Sequence, residues 1–374
     1  MDFTLLEEQA MLQDSIHRWC RDNYNFETRR AIITGGEENC PECWRAFAEM
    51  GWLSIPFDEV DGGFGGGPVE MMLLMEQLGA AIVVEPFLAT VVMAGGVLRR
   101  TTGQQQRTLI PKIIAGELQM ALAFVETQAG YDLADVTTTA DSVADGYCLN
   151  GEKAIVLNAQ SADYLVVPAR TCGLQTDREG ITLFLVNADI EGIEIDTYRT
   201  QDGFLAADVS LKEVKVGSDA VLGIPGQGLE VLEAVIDDAA FAVSAEAVGV
   251  MDFLLEATVE YAKTRKQFGV PIGSFQALQF RMADMFNEYQ QARSIVLSVC
   301  AEAGTNSEQL PTKAVAACKA YIGVAGKYVG ETAIQIHGAV GVTDELDVSH
   351  YFKRLTMINT LFGDKDYQVQ RFAA

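Results

Sequence analysis

The spacing of apolar residues changes twice along the chain, and it predicts a helical start, a strand-rich middle and a helical end. In the first part, apolar residues recur at helical intervals, and acidic residues occupy the first turn of the first predicted helix. From Leu118 they form short β-branched runs. From Gly228 helical spacing returns in four long segments. The third segment is expected to begin near Pro311, and the fourth to span about residues 344–361.

The middle of the chain contains short runs that are typical of strands. Turn signals such as Asn150-Gly151 and Asp202-Gly203 separate them. The runs cover residues 119–125, 148–149, 154–157, 164–167, 181–186, 193–195 and 209–216. Such spacing predicts an antiparallel barrel or sandwich. We therefore predict an α+β chain with three domains, namely an N-terminal helical domain (1–117), a middle β domain (118–225) and a C-terminal four-helix bundle (226–374).

The stretch 261–285 is predicted to contain the end of one long helix, a tight break and the start of another helix. Gly269 and Gly273 tolerate the conformation that ends a helix, and Pro271 cannot continue one. Ser274 is the expected N-cap of the second helix. The expected core face of that helix consists of Phe275, Leu278, Met282, Met285, Phe286 and Tyr289.

Three cations, Lys263, Arg265 and Lys266, lie at this junction in a chain whose formal net charge is -25. A helix end has loose polar groups, and a guanidinium pairs bidentately with phosphate. The junction is therefore a candidate binder of a phosphate-bearing ligand. The alternative is a solvated helix end with ordinary surface charges. Without the resemblance described below, the residues favour this alternative.

Composition excludes some partners and indicates a compartment. The net charge of -25 argues against nucleic acid or an anionic membrane as the main partner. Residues 78–98 are apolar but include Glu85 and Pro86, so they predict a buried helical hairpin and no membrane span. The N-terminus has acids where a signal peptide needs basic residues, which predicts a cytoplasmic protein.

Seven cysteines and three histidines are present, and local spacing assembles no metal site from them. Cys40-Pro41-Glu42-Cys43 is the one suggestive pattern. A single such motif without a second pair or nearby histidines is a weak zinc signal. A redox pair is an alternative, but loop cysteines in a reducing compartment are favoured. No bound metal is expected.

Two motifs resemble those of the acyl-CoA dehydrogenase family. The first is Arg265-Lys266-Gln267-Phe268-Gly269, and the second is Gln335-Ile336-His337-Gly338-Ala339-Val340-Gly341. The resemblance covers essentially the whole chain, and it implies the same three-part architecture. It also implies that FAD is the cofactor, that an acyl-CoA thioester is oxidised to the 2-enoyl-CoA, and that an electron-transferring flavoprotein accepts the electrons.

The resemblance assigns cofactor-binding roles to five residues. Arg265 would contact the pyrophosphate, and Phe268 would pack near the adenosine. Gln276, Gln335 and Gly338 would line the cofactor. In the family these segments serve the FAD of a neighbouring subunit. One departure lies beside them, since Ala339 replaces a usual glycine.

The positions that hold the flavin ring in the same subunit depart further from the family pattern. Val125 and Leu157 replace residues that carry hydroxyl groups, and Tyr131 replaces a small serine. The aromatic cover of the flavin becomes Ile155, and Ala240 replaces an arginine.

The usual catalytic glutamate near the C-terminus aligns with Asp364. Aspartate is a competent base but is one methylene shorter, and a misplacement of about 1 Å can cost on the order of a hundredfold in rate. The alternative is a solvated acid in a frayed tail.

The segments that would serve a neighbour's FAD are retained, whereas the positions that would hold the chain's own flavin ring are altered. This difference favours a hetero-oligomer in which a paralogous subunit supplies the missing half of the site. The chain is similar to the small subunit of two-subunit enzymes of the pimeloyl-CoA dehydrogenase type, and enzymes acting on steroid side-chain thioesters share this arrangement. Two alternatives stay open. One is a homotetramer that uses Asp364, and the other is a non-catalytic scaffold that has lost flavin.

Overall fold

The computed structural model describes residues 4–35, 40–101, 103–304 and 309–374. The chain divides into two compact units. The first unit comprises Met1–Ala31, Gly67–Val83 and Ala240–Ala374, and the second comprises Ile32–Gly66 and Val84–Ala239. The three domain boundaries inferred from the sequence stay a prediction. Within the described ranges, no helix is long and apolar enough to cross a membrane.

Helices occupy both ends of the chain, as the apolar spacing predicts. They are α1 Glu7–Asn23, α2 Phe26–Thr34, α3 Pro41–Glu49, α4 Pro68–Ala80, α5 Gly95–Arg100, α6 Gln104–Ile114, α7 Gly228–Thr264, α8 Gln276–Ala303, α9 Thr312–His337, α10 Asp347–Thr360 and α11 Lys365–Ala373. A π-helical segment, Phe87–Ala94, precedes α5. Pro311 is the N-cap residue of α9, close to the predicted start. Helix α11 was not expected from the apolar spacing.

The middle of the chain forms one eight-stranded sheet. Its strands are β1 Met120–Leu122, β2 Thr139–Val143, β3 Gly146–Leu157, β4 Tyr164–Arg170, β5 Ile181–Asn187, β6 Ile193–Arg199, β7 Leu205–Gly217 and β8 Val221–Leu222. The spatial order is β6-β7-β3-β2-β4-β5-β8, with β1 beside β4. Most pairs are antiparallel, as predicted, whereas β1–β4 and β2–β4 are parallel. The apolar faces of these strands meet in a core that includes Leu149, Val167, Phe184, Val209 and Val214.

A buried ion pair lies in this β-rich region. Lys153 on β3 donates from Nζ to Glu126 Oε1 at 2.7 Å and to the Pro168 carbonyl at 2.7 Å. The backbone N–H groups of Thr137 and Thr138 also donate to the Glu126 carboxylate, at 2.7 and 3.2 Å. Burial opposes the charged form of Glu126, but Lys153 and the threonine donors outweigh it and lower the pKa of this carboxyl to about 2. The carboxylate is thus charged and fully bonded in the folded chain.

In the first unit, α4 and α7 cross so closely that glycines of each helix lie against backbone carbonyl groups of the other. A Cβ added at Gly79 would lie 2.1 Å from the Glu246 carbonyl oxygen, and one added at Gly249 would lie 1.8 Å from the Glu76 carbonyl oxygen. Both positions therefore need glycine because any side chain would push the two helices apart.

The same crossing is joined to α10 by a buried ion pair. Arg354 donates to Glu246 through two parallel bonds, Nε to Oε1 at 2.5 Å and Nη2 to Oε2 at 2.7 Å. Both residues are almost fully buried. Tyr351, one turn earlier on α10, donates its hydroxyl to the Ala80 carbonyl at 2.6 Å. Two parallel hydrogen bonds of this kind fix both the orientation of the guanidinium relative to the carboxylate and the distance between them.

We expect Glu126→Gln to destabilise the chain by about 3–5 kcal/mol because it leaves the Lys153 ammonium buried without its counter-charge. Equilibrium urea unfolding measures the change. Glu194→Gln is the matched control, since Glu194 pairs with Lys212 at 2.7 Å at the surface and such pairs contribute about 0–1 kcal/mol. Similar small effects of both substitutions would contradict this account of the buried pair.

Candidate functional site

The junction between α7 and α8 is a tight hairpin. Strands β9 (Lys266–Gln267) and β10 (Val270–Pro271) pair in antiparallel register, with Phe268 and Gly269 between them. Both turn residues have positive φ, 53° and 82°, which is the pattern of a type I′ turn. The Phe268 side chain is 92% exposed and meets the Phe275 ring edge-on at 6.2 Å.

One expectation for the start of α8 is wrong, and a second holds only in part. Phe275 is the N-cap residue, and the Ser274 hydroxyl donates to the Pro271 carbonyl at 2.7 Å. The expected core face is only partly buried. Met285 and Tyr289 are buried, whereas half of the Phe286 side chain is exposed. Apolar spacing identified the apolar face of α8 correctly, but the fold of a single chain does not cover the first part of that face.

A contact between Tyr261 and His337 joins the two family-like segments. The rings stack with centroids 4.3 Å apart and an angle of 27° between their planes, and the Tyr261 hydroxyl lies 3.4 Å from the His337 carbonyl oxygen. Tyr261 also accepts the Arg265 N–H at its carbonyl, at 2.8 Å. His337 directly precedes Gly338. The end of α7 and the end of α9 are thus held together by residues to which the sequence analysis gave no role.

The neutral form of His337 is favoured in this contact. Burial lowers the pKa of the imidazole, and a hydrogen bond to the Ala333 carbonyl opposes the shift. Nδ1 lies 2.9 Å from that carbonyl oxygen. A neutral ring stacks on Tyr261 without the cost of burying a charge.

The five residues expected to bind the cofactor are all exposed on the first unit. Arg265, Gln276 and Gln335 are solvent-accessible side chains, as is Phe268. Gly338 has φ of 70°, and an added Cβ would meet no atom within 4 Å. Backbone and side-chain groups on both joined segments therefore face open space, where a polyanionic ligand can reach them.

In the second unit, the structure brings two of the altered segments together. The Ala154 N–H donates to the Val125 carbonyl at 2.9 Å. The pairing of β3 with β7 is irregular between Lys153 and Val156, and Ile155 has φ of 52° with 47% of its surface exposed. Leu157 follows on the same strand. The side chains of Val125 and Leu157 carry no hydroxyl, so this strand end cannot supply the hydrogen bonds that the family pattern expects there.

Asp238, two residues before Ala240, forms ion pairs within the second unit. Asp238 pairs with Arg99 at 3.0 Å and with Arg100 at 2.8 Å. These arginines end α5. Sequence reasoning missed this cluster because its members are far apart in the chain.

Asp364 lies at the start of α11, so the alternative of a frayed tail is wrong. It is the N-cap residue, and its Oδ1 accepts the Tyr367 N–H at 2.9 Å. The turn before it places Phe362 and Gly363 at positive φ, 57° and 103°. The carboxylate is half-buried, and one oxygen is engaged in the cap.

Lys319 on α9 stabilises this turn from the interior. Its Nζ donates to the Gly363 carbonyl at 2.9 Å and to the Asn359 carbonyl at 3.2 Å, and only 1% of its surface is exposed. Burial lowers the pKa of Lys319 to about 8, although Cys318 and Asp364 act in the opposite direction. The residue immediately before Asp364 is therefore bonded to a buried amine.

We expect the stability of the wild-type chain to rise relative to Lys319→Met as pH increases from about 8 to about 10. The unfolded chain keeps the Lys319 proton up to its ordinary pKa of 10.5, whereas the folded chain releases it near 8, so the free energy of unfolding rises with pH in this window. The gain should be on the order of 2 kcal/mol in urea unfolding at the two pH values. Parallel pH dependence in the two proteins would contradict the shifted pKa.

Three domain patterns of one family match the chain. The N-terminal domain of acyl-CoA dehydrogenase matches residues 6–117, the middle domain residues 121–215 and the C-terminal domain residues 226–374. YngJ, a probable acyl-CoA dehydrogenase of Bacillus subtilis, is 30% identical over 378 residues, which cover 99% of this chain and 98% of that protein. The CarC subunit of the caffeyl-CoA reductase-Etf complex of Acetobacterium woodii is 28% identical, over 94% of this chain and 95% of its own.

Solved structures agree over the full length. The ChsE4-ChsE5 complex from Mycobacterium tuberculosis is similar with a TM-score of 0.89 and 27% identity, covering 100% of this chain and 98% of that one. The FAD complex of PigA is similar with a TM-score of 0.91 and 25% identity, with the same coverage. The predicted order of a helical domain, a middle β-sheet domain and a C-terminal helical domain is confirmed. The chain belongs to the acyl-CoA dehydrogenase family.

Proposed function

We propose that this chain is a subunit of an FAD-dependent acyl-CoA dehydrogenase that shares its FAD sites with a paralogous subunit. The reaction is α,β-dehydrogenation of an acyl-CoA thioester to the 2-enoyl-CoA. The observation that carries the proposal is the stack of Tyr261 on His337, because it joins the end of α7, which leads to the exposed Arg265, to the end of α9, which leads to the exposed Gly338. Family membership and the FAD complex of PigA support FAD as the cofactor.

The joined segments fit the pyrophosphate and adenosine half of FAD. The Arg265 guanidinium is exposed and suited to bidentate pairing with phosphate oxygens. Gly338 permits close backbone approach, and the Phe268 ring offers an uncovered face to an adenosine. Gln276 and Gln335 supply amide donors and acceptors.

The second unit fits the flavin ring poorly. Val125 and Leu157 offer no side-chain hydrogen bond, and Ile155 stands where an aromatic cover is expected. A homo-oligomer would need both halves of the site in each chain, whereas a hetero-oligomer needs only the first half from this one. The missing half is therefore assigned to the paralogous subunit.

When bound, FAD supplies the acceptor for the substrate hydride. The chain's own residues bind and orient the cofactor, and Arg265 neutralises part of its charge. In the homotetrameric alternative, the Asp364 carboxylate also accepts the substrate Cα proton. One of its oxygens is engaged with the Tyr367 N–H, and the other is the candidate proton acceptor.

An exposed apolar surface around the hairpin supports assembly with another subunit. It comprises Phe268, Val270, Phe275, Phe280 and Phe286, all well exposed in the single chain. Patches of this kind mark interaction sites. The paralogue is the proposed occupant, and the two-component ChsE4-ChsE5 complex is a structural precedent for such pairing.

The subunit type, the compartment and the electron acceptor are proposed from the same family resemblance. We place the chain with the small subunits of the pimeloyl-CoA type, in the cytoplasm, with an electron-transferring flavoprotein as acceptor. Support for the acceptor comes from two relatives, namely CarC, a subunit of a reductase-Etf complex, and a structure described as the electron transferring flavoprotein of Acidaminococcus fermentans. A scaffold that has lost flavin is the remaining alternative, and the retained exposed Arg265 speaks against it.

Visible absorption of the purified chain, alone and then co-purified with its paralogue, tests the shared site. We expect the lone chain to be colourless and the pair to be yellow, with less than one FAD per chain. A lone chain that carries one FAD would overturn the shared-site proposal.

In the pair, Arg265→Ala should weaken FAD binding about tenfold to a hundredfold, since a hydrogen bond to a charged group contributes about 1.5–3 kcal/mol. Lys313→Ala is the control because Lys313 is an exposed cation at the start of α9, outside both motifs. An equal loss of FAD affinity in both variants would show only that removing any positive charge from the chain weakens binding. Unchanged FAD affinity for Arg265→Ala would remove the proposed pyrophosphate contact.

Asp364→Asn separates the shared-site proposal from the homotetrameric alternative. Asparagine also caps helices, so α11 should stay intact, but its amide cannot accept the substrate proton. Turnover of the native assembly with acyl-CoA is the measurement. We expect turnover to stay within about threefold, as a base on the partner requires, whereas a loss on the order of a hundredfold or more would assign the base to Asp364.

A further inference from the structure

Two cysteines and a glutamate form a compact cluster in the second unit, apart from the proposed cofactor-binding segments. The Sγ atoms of Cys40 and Cys43 and a carboxylate oxygen of Glu85 all lie within 4.8 Å of one another. The sequence analysis expected loop cysteines and no metal. The structure corrects the first expectation, because Cys40 is the N-cap residue of α3 and Cys43 lies in the first turn of that helix.

The start of α3 orients both sulfur atoms the same way. Cys40 has extended backbone angles, φ of −97° and ψ of 102°, and Pro41 begins the helix. The Cys43 N–H donates to the Cys40 Sγ at 3.3 Å. A spacing of three residues at a helix end places the two side chains side by side.

Glu85 comes from the turn between α4 and the π-helical segment. The Phe87 N–H donates to the Glu85 carbonyl at 2.8 Å, which tightens this turn. The Glu85 residue is 4% exposed and Cys43 is 7% exposed, whereas Cys40 is only partly buried. The partly exposed Cys40 leaves a route by which a metal ion can enter.

We propose that Cys40, Cys43 and Glu85 bind a Zn²⁺ ion, with water in the fourth position on the side of Cys40. Thiolate ligands favour zinc over magnesium or calcium, and three protein ligands plus water make a tetrahedral shell. With Zn–S of about 2.3 Å and Zn–O of about 2.1 Å, ligand atoms lie roughly 3.5–4 Å apart. Since the ligand atoms lie within 4.8 Å of one another, the cluster needs to contract by about 1.3 Å at most. The two thiols release their protons to solvent as the metal binds.

The ion would connect the start of α3 with the turn before the π-helical segment, two parts of the second unit that are distant in sequence. A disulfide between Cys40 and Cys43 is the competing use of the same sulfur atoms. It would exclude the ion, so the two states are distinguishable.

The test uses the full chain, purified anaerobically with a thiol-free reductant and loaded with Zn²⁺ or Co²⁺ alone. We expect one zinc per chain by elemental analysis. We also expect a cobalt spectrum with thiolate charge-transfer bands and tetrahedral ligand-field bands. Glu85→Gln should weaken Zn²⁺ binding by at least about tenfold, since even the loss of an outer partner costs about 10–100-fold.

Glu49→Gln is the matched control, because Glu49 is an exposed glutamate at the other end of α3 and lies outside the three-ligand cluster. It should leave the affinity unchanged. Cys172→Ser, at an exposed cysteine elsewhere, should also bind zinc normally. Circular dichroism verifies that each variant is folded, and Cys40→Ser, at the partly exposed ligand, replaces Glu85→Gln if that variant fails to fold.

Four outcomes would overturn the proposal. They are less than a stoichiometric amount of metal after loading, a loss of affinity in Glu49→Gln equal to that in Glu85→Gln, a Cys40–Cys43 disulfide that survives the reductant, and a cobalt spectrum without thiolate bands.

Discussion

The close crossing of α4 and α7 is the constraint on which the first unit depends. Gly79 and Gly249 let each helix contact a carbonyl of the other, so the interhelical distance is set by backbone atoms. Glu246 lies at this crossing and binds Arg354, which fixes α10 as well. The last turn of the same helix carries Tyr261, whose ring stacks on His337. The candidate site therefore lies on a helix whose distance from α4 is set by two residues without side chains.

Much of this fold follows from apolar spacing, and the errors have physical causes. The long helices and most strands occur where periodicity places them. Strand β2 was missed because it is polar and mostly exposed, with Ala140 as its one buried residue. On α8, Phe275 and Phe286 are apolar but exposed, because spacing reports which face is apolar and not whether the same chain covers it.

The candidate site was predictable to a smaller extent. The break between α7 and α8 around Gly269 and Pro271 is local, so the sequence indicates it. The start of α11 also carried a local signal, an aspartate followed by a helical run. Asp364 was interpreted either as a catalytic base or as an acid in a frayed tail, and neither interpretation includes a helix N-cap. The stack of Tyr261 on His337 and the bonds of Lys319 to the turn before Asp364 join positions that are distant in the chain. Local sequence patterns cannot predict contacts of this kind.

The N-cap role of Asp364 connects the direction of its side chain to the order of the last helix. Its Oδ1 accepts the Tyr367 N–H at 2.9 Å, and this bond is made only while the side chain lies over the first turn of α11. A carboxylate that turns away to meet another group therefore gives up this bond and loosens that turn. Amide hydrogen exchange at Tyr367 consequently reports whether the Asp364 side chain stays in the cap, in the free chain and in its complexes alike.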